Sequence, residues 1–167
     1  MAVAELIGAA IGTMLLVIVA YLLVGNVLTT AEVVSNAQKD MTLLEASRLN
    51  TDISVSYEGI DGGLTNHPAI NFTVTNTGNQ VISDFDHATV FTSAGTVFTS
   101  YSFDPGNTGT VGSWDKIRIE NDVIHPNQLD PGEKMWVLAY FAPDSTPTWF
   151  EFCTNNGVYA SAYTTIE

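Results

Sequence analysis

From Leu6 to Ala31 the chain carries no charged residue, and Met14-Leu15-Leu16-Val17-Ile18-Val19-Ala20-Tyr21-Leu22-Leu23-Val24 within it is almost wholly apolar. About 20 such residues span a bilayer core as a helix. Each Leu, Ile and Val contributes roughly −0.3 to −0.6 kcal/mol to insertion, so the segment favours lipid or an apolar filament core even after its glycines are discounted. A cleavable secretory signal has a basic start and a shorter apolar run, whereas Glu5 precedes this one, and the run is too long. Beyond Thr30 the pattern turns amphipathic: Val34, Ala37, Met41 and Leu44 recur at helical spacing between Asn36, Gln38, Asp40 and Glu45. The helix is therefore expected to continue to about Asn50, reaching roughly 70 Å at 1.5 Å per residue.

Three residues near the start of this helix are candidates for helix packing. Gly8 and Gly12 form a Gly-x-x-x-Gly spacing beside Ala9 and Ala10, which lets a second helix approach closely. Glu5 is costly in hydrocarbon unless it sits at the interface or pairs. Two roles stay open for it: an interfacial carboxylate, or one that neutralises the amino terminus of a neighbouring subunit.

From Thr51 onward the period changes to two. Ile53, Val55 and Tyr57 alternate with polar residues, as do Ile70, Phe72 and Val74, then Val97, Thr99 and Tyr101, then Ile117 and Ile119. The runs Met135 to Phe141, Trp149 to Cys153 and Val158 to Ile166 bring the total to about seven to nine strands. Turn chemistry separates them, at Asp61-Gly62-Gly63, Asn76-Thr77-Gly78-Asn79, Asp104-Pro105-Gly106-Asn107, Asp130-Pro131-Gly132-Glu133 and Asn155-Asn156-Gly157. The expected architecture is a long N-terminal hydrophobic α-helix, residues 1–50, followed by an all-β immunoglobulin-like sandwich, residues 51–167. The second unit, roughly 115 residues, can bury an adequate core without disulfides or metals.

The formal net charge of −13, with five Lys and Arg, excludes nucleic-acid binding, because phosphate contacts need clustered basic residues. No catalytic constellation stands out: there is no Gly-x-Gly-x-x-Gly, P-loop, Gly-x-Ser-x-Gly or His-Glu-x-x-His. The chain is read as a non-enzyme without cofactor or metal. His67, His87 and His125 are scattered, with only Asp84 and Asp86 near His87, and Asp104, Asn107 and Asp115 lack the spacing of a calcium loop. Cys153 has no intrachain partner and is expected as a buried thiol. Trp136 and Trp149 are expected in the core and Trp114, beside Gly112 and Asp115, as the one exposed ring. Asn71-Phe72-Thr73 is a glycosylation sequon, so Asn71 is a candidate modification site.

The charges flanking the apolar run are Glu5 on one side and Glu32, Lys39 and Arg48 on the other, which by charge alone favours a cytoplasmic C-terminal side. A sandwich with such turns is typically exported, and a cleaved basic leader would reconcile the two.

The opening Ala4-Glu5-Leu6-Ile7-Gly8-Ala9-Ala10-Ile11-Gly12, the extension Thr29 to Asp40, and a sandwich bearing Asn76-Thr77-Gly78 and Asp130-Pro131-Gly132-Glu133 together resemble the archaellum accessory proteins of the FlaF/FlaG group. More broadly they resemble the archaellin and type IV pilin-like superfamily. That resemblance implies a structural part of the archaeal motility machinery. The helix would anchor in the cytoplasmic membrane, and the sandwich would contact the surface-layer protein or a sister accessory protein outside it. The alternative is a filament subunit whose helices form the core and whose sandwiches form the surface, with copies of itself or related pilin-like subunits as partners. Either way the chain is expected at the cell surface. A Gly-Ile-Gly-Thr-Leu-type opening is absent, although Ile11-Gly12-Thr13-Met14-Leu15 is similar.

Overall fold

A computed structural model describes residues 2–61, 67–106 and 109–164. One helix, α1 (Ala2–Asn50), precedes eight strands: β1 (Ile53–Asp61), β2 (Ala69–Asn76), β3 (Thr89–Ala94), β4 (Val97–Phe103), β5 (Ser113–Glu120), β6 (Lys134–Tyr140), β7 (Trp149–Cys153) and β8 (Tyr159–Tyr163). The chain divides into two compact units, Met1–Leu44 and Glu45–Glu167, so the last turns of α1 belong with the strands.

No proline interrupts residues 1–50, and the helix ends where the sequence predicts, at Asn50. Glu5 in the first turn and Arg48 in the last complement the helix dipole. Its threonines are satisfied internally: Thr29 Oγ1 donates to Gly25 O at 3.0 Å and Thr30 Oγ1 to Asn26 O at 2.8 Å. Bonded in this way, their hydroxyls need no water.

The strands form one sheet in the order β1-β2-β6-β5-β4-β3-β7-β8, and β1 and β8, at its two ends, lie side by side. The sheet thus curls into a near-barrel, or sandwich, closed around one core. Every pairing is antiparallel except β4 with β5, a parallel contact of two residue pairs, Ser102↔Ser113 and Phe103↔Trp114. Aromatic rings cross the core between the two halves. Phe72 on β2 lies 4.6 Å from Phe150 on β7, and Trp114 on β5 meets Phe152 edge-on at 5.4 Å.

Several local expectations are corrected. Trp114 is fully buried, because β5 begins at Ser113 and turns the indole inward between Phe103 and Phe152. Trp136 and Trp149 are only half-buried: Met135, Val137, Phe150 and Phe152 take the inward positions of their strands, leaving the tryptophans on the outer faces. The same alternation leaves Cys153 half-buried rather than in the core. Ile117 is exposed where β5 slips register against β6 between Lys116 and Arg118, and Val97 is exposed at the start of β4. β3 was not foreseen as a strand.

Candidate interaction surfaces

Glu5, Gly8 and Gly12 are three and four residues apart, so the helix brings all three to one face. A Cβ added at Gly8 or Gly12 meets nothing within 4 Å, so that face is bare backbone available for close approach. The large apolar side chains along the helix, from Val3 through Leu28, are exposed on every side.

Within the strand unit, the two turns singled out in the sequence lock together where the chain enters β1. Asn76 is fully buried; its Nδ2 donates to Gln80 O at 2.8 Å and to Leu129 O at 2.9 Å, and its Oδ1 accepts from Gly78 N at 3.0 Å. Gly132, at φ 85°, donates from its N to Asn76 O, and Asn76 N donates to Glu133 O. The same turn holds the end of α1: Asn50 O accepts from Asn79 N and Gln80 N, and Asp52 O accepts from Thr77 N and Gly78 N. Asn156 Nδ2 adds a bond to Thr51 Oγ1 at 2.7 Å.

The outer face of β1-β2-β6-β5 is mixed, with Ile117, Leu138 and Trp136 beside Asn71 and Arg118. Arg118 lies over the Trp136 ring at 4.9 Å while Trp136 Nε1 donates to Glu120 Oε1 at 2.7 Å, so the indole is covered by charge on its face and edge. Asn71 is half-buried in β2, an interior strand paired at this residue with Gly59 on one side and Leu138 on the other.

The outer face of β4-β3-β7-β8 is the more aromatic. Phe98, Ser93, Trp149 and Tyr163 pair across four strands in one row, lining with Thr148 a groove of about 310 Å³. Thr148 N donates to Ser93 O at 2.8 Å and Thr164 N to Thr148 O at 3.1 Å, fixing the groove floor.

The loop joining β5 to β6 carries Val123 and Ile124 at its tip. It is built on turned-in carboxylates: Asp130 accepts from His125 Nδ1 at 2.8 Å and from His125 N at 3.1 Å, and Asp122 accepts from Asn127 N at 2.8 Å. This His125–Asp130 pair is missed in the sequence because four residues, among them a left-handed Asn127 (φ 70°), separate the partners. His87 Nδ1 lies 2.9 Å from Asp84, whose hydrogen bond raises the His87 pKa; His67 Nδ1 lies 3.0 Å from Gly109 O.

Asp115 sits with Asp84, Asp86, Lys116 and Asn127 around a second cavity of about 560 Å³. Burial pushes the Asp115 pKa up, against the hydrogen bond it accepts from Gly106 N. Asn107 lies outside the described residues. Among those described, no three of His, Cys, Asp and Glu gather as a metal site.

A family model for archaeal-type flagellin matches residues 4–164, helix and strands together. No curated protein sequence matches the chain. Among solved structures, the chain is similar to the archaellum periplasmic stator protein FlaG from Sulfolobus acidocaldarius at 16% identity and a TM-score of 0.46, over 67% of this chain and 97% of that one. It is also similar to the FlaF and FlaG stator complex of the same organism, at 17% identity and a TM-score of 0.46, over 66% and 85% of the two chains. Likeness at that level carries no functional weight; the family match, which spans nearly the whole sequence, does. The chain belongs to the archaeal-type flagellin family and is a structural component of the archaellum.

Proposed function

We propose that α1 anchors the chain in the archaeal cytoplasmic membrane and that the sandwich works outside it as a contact module of the archaellum. Its partners would be a sister subunit of the family or the surface-layer protein. The division of labour puts the anchor in residues 1–50 and the contact module in 51–167, with the last turns of α1, from Glu45, forming part of the module.

The observation that supports this reading is the helix surface. The uncharged stretch Leu6–Ala31 is about 39 Å long at 1.5 Å per residue, more than the roughly 30 Å of a hydrocarbon core. Its large apolar side chains point outward on all sides, and its threonine hydroxyls bond within the helix. Water is a poor solvent for such a surface and lipid a good one.

A second reading, a filament subunit, is favoured by the flagellin description of the family and by the bare Gly8/Gly12 face. There the same surface would be covered by neighbouring helices instead of lipid. Negative-stain electron microscopy of the native full-length protein, sheared from cells or extracted from membranes, separates the two. Membrane-bound protein without filaments supports the anchored component; continuous filaments made mainly of this chain replace it with the filament subunit.

A further inference from the structure

The sandwich supplies cations to some of its aromatic rings and leaves others without. Arg118 lies over the Trp136 ring at 4.9 Å, and Lys116 lies over the Phe85 ring at 4.5 Å. The rings of Phe98, Trp149 and Tyr163, on the outer face of β4-β3-β7-β8, have no cation over them among the described residues. Nor do these four strands contain one: the five Lys and Arg are Lys39 and Arg48 on α1, Lys116 and Arg118 on β5, and Lys134 on β6.

The row Phe98, Ser93, Trp149 and Tyr163 crosses the four strands in register. Neighbouring strands lie about 4.8 Å apart, so the Cα atoms of Phe98 and Trp149 stand roughly 10 Å apart with the small Ser93 between them. Phe98 is 74% and Tyr163 70% exposed, while Ser93 is buried, so the rings rise as walls above a low floor. The floor spends its own hydrogens: Ser93 Oγ donates to Gly95 O at 3.2 Å, and Thr148 donates to Ser93 O from Oγ1 at 3.2 Å and from N at 2.8 Å. Two positions along β7 from Trp149, and therefore on the same face, Glu151 stands between Phe91 and Ser161. It is the one charged residue in the four strands, and it forms no ion pair among the described residues.

These features select a class of ligand. Aromatic faces attract cations, and a lone carboxylate on a chain of net charge −13 draws them in. A primary ammonium brings three N–H donors and a guanidinium five, and each donor left without an acceptor is costly. The floor offers them little, since Ser93 O already accepts two bonds. A quaternary ammonium has no N–H to satisfy, and its methyl groups pack directly on ring faces. A sugar would find no free donor on the floor, and a neutral apolar ligand would gain nothing from Glu151.

We propose that the groove lined by Phe98, Trp149 and Tyr163 binds the quaternary ammonium group of a small organic solute, with the ring faces as its walls and Glu151 as its counter-charge. The volume of about 310 Å³ lies at the small end of ligand sites and suits a small solute. The chain fills the corresponding place on its other face with its own Arg118, over Trp136, and on this face the cation comes from outside. The site belongs to the strands alone, so it stands whether α1 lies in lipid or among other helices.

The test titrates the full-length chain, in an uncharged detergent and at constant ionic strength, with tetramethylammonium chloride while tryptophan fluorescence is followed. Wild type should respond saturably, and Trp149→Phe, which keeps a ring face and removes the reporter, should lose the response. tert-Butanol, uncharged and of similar shape, should give no saturable change, and methylammonium should bind more weakly than tetramethylammonium. Phe98→Leu keeps the apolar wall and removes its π face, so apparent affinity should fall on the order of threefold or more. Glu151→Gln should also weaken binding, with the deficit shrinking as salt rises. Tyr163→Leu repeats the wall experiment if Phe98→Leu loses its folded near-ultraviolet signature. A wild type without a saturable response, a response that survives Trp149→Phe, tert-butanol binding as tightly, or both leucine variants binding like wild type overturns the proposal. Tighter binding of methylammonium also overturns it and assigns the groove to a lysine side chain of a protein partner.

Discussion

Asn76 Nδ2 donates to Leu129 O at 2.9 Å, joining the turn that leaves β2 to the turn that enters β6 across fifty-three residues of sequence. The side chain is fully buried and uses both its donor and its acceptor capacity there. Asn76→Ala removes the side-chain donor to Gln80 O and Leu129 O and one acceptor of Gly78 N, although Ile82 N still donates to Leu129 O and Gly78 N to Asp52 O. Each hydrogen bond lost contributes about 0.5–1.5 kcal/mol net, so the variant should unfold at clearly lower denaturant, measured through tryptophan fluorescence. An unchanged midpoint would remove Asn76 from its role as the tie between the turns.

Gly78 carries a second constraint at the same place. A Cβ there would lie against Asp52 N and 2.6 Å from Asn50 O, both of them backbone atoms that cannot swing aside. Gly78→Ala should therefore destabilise by about 1–3 kcal/mol, the usual range for forced overpacking, whereas Gly95→Ala meets no neighbouring atom and suffers only from its own left-handed φ. Comparing the thermal midpoints of the two variants checks the difference.

These turns were legible in the sequence because their residue types carry local backbone chemistry: the Asn76 side chain caps its own turn, and Gly132 supplies the left-handed φ after Pro131. The helix and most strands were legible for the same reason, since period and composition are local. β3 was hidden because its alternation is inverted, with Phe91 outside and Thr92 inside, where Thr92 Oγ1 finds Tyr101 OH at 3.1 Å. Trp114 was misplaced because Gly112 and Asp115 suggest a loop, while its burial comes from Phe103 and Phe152, remote in sequence or on another element. The apolar groove could not be read at all, for it exists only once four strands bring Phe98, Ser93, Trp149 and Tyr163 into one row.

Asp115 gives the sandwich a pH signature. Burial raises its folded pKa above the ordinary 3.8, so its contribution to stability is fully present below the unfolded pKa and is lost as pH rises through the folded value. Asp115→Asn keeps an oxygen to accept from Gly106 N and carries no charge. At neutral pH the variant should be more stable than wild type, with the gap closing as pH falls below about 3.8. A gap that widens on acidification would mean that the ionised carboxylate is favoured in the folded chain.

The last turn of α1 is an integral part of the sandwich. A chain beginning at Glu45 keeps Ser47, Asn50 and Thr51 and is expected to fold and melt cooperatively. A chain beginning at Asp52 lacks the Asn50 carbonyl that takes the Asn79 and Gln80 N–H groups, and the Thr51 hydroxyl bonded to Asn156. That shorter chain should melt at a distinctly lower temperature, as circular dichroism would record; equal melting would make the turn dispensable.

The most direct measurement is vesicle flotation of the full-length protein after an alkaline carbonate wash, followed by protease digestion. An anchoring helix predicts that the protein floats with the lipid, resists the wash and leaves a protected fragment containing Leu6–Ala31. Protein that stays at the bottom of the gradient, or is stripped by the wash with no protected fragment, would contradict the membrane anchor.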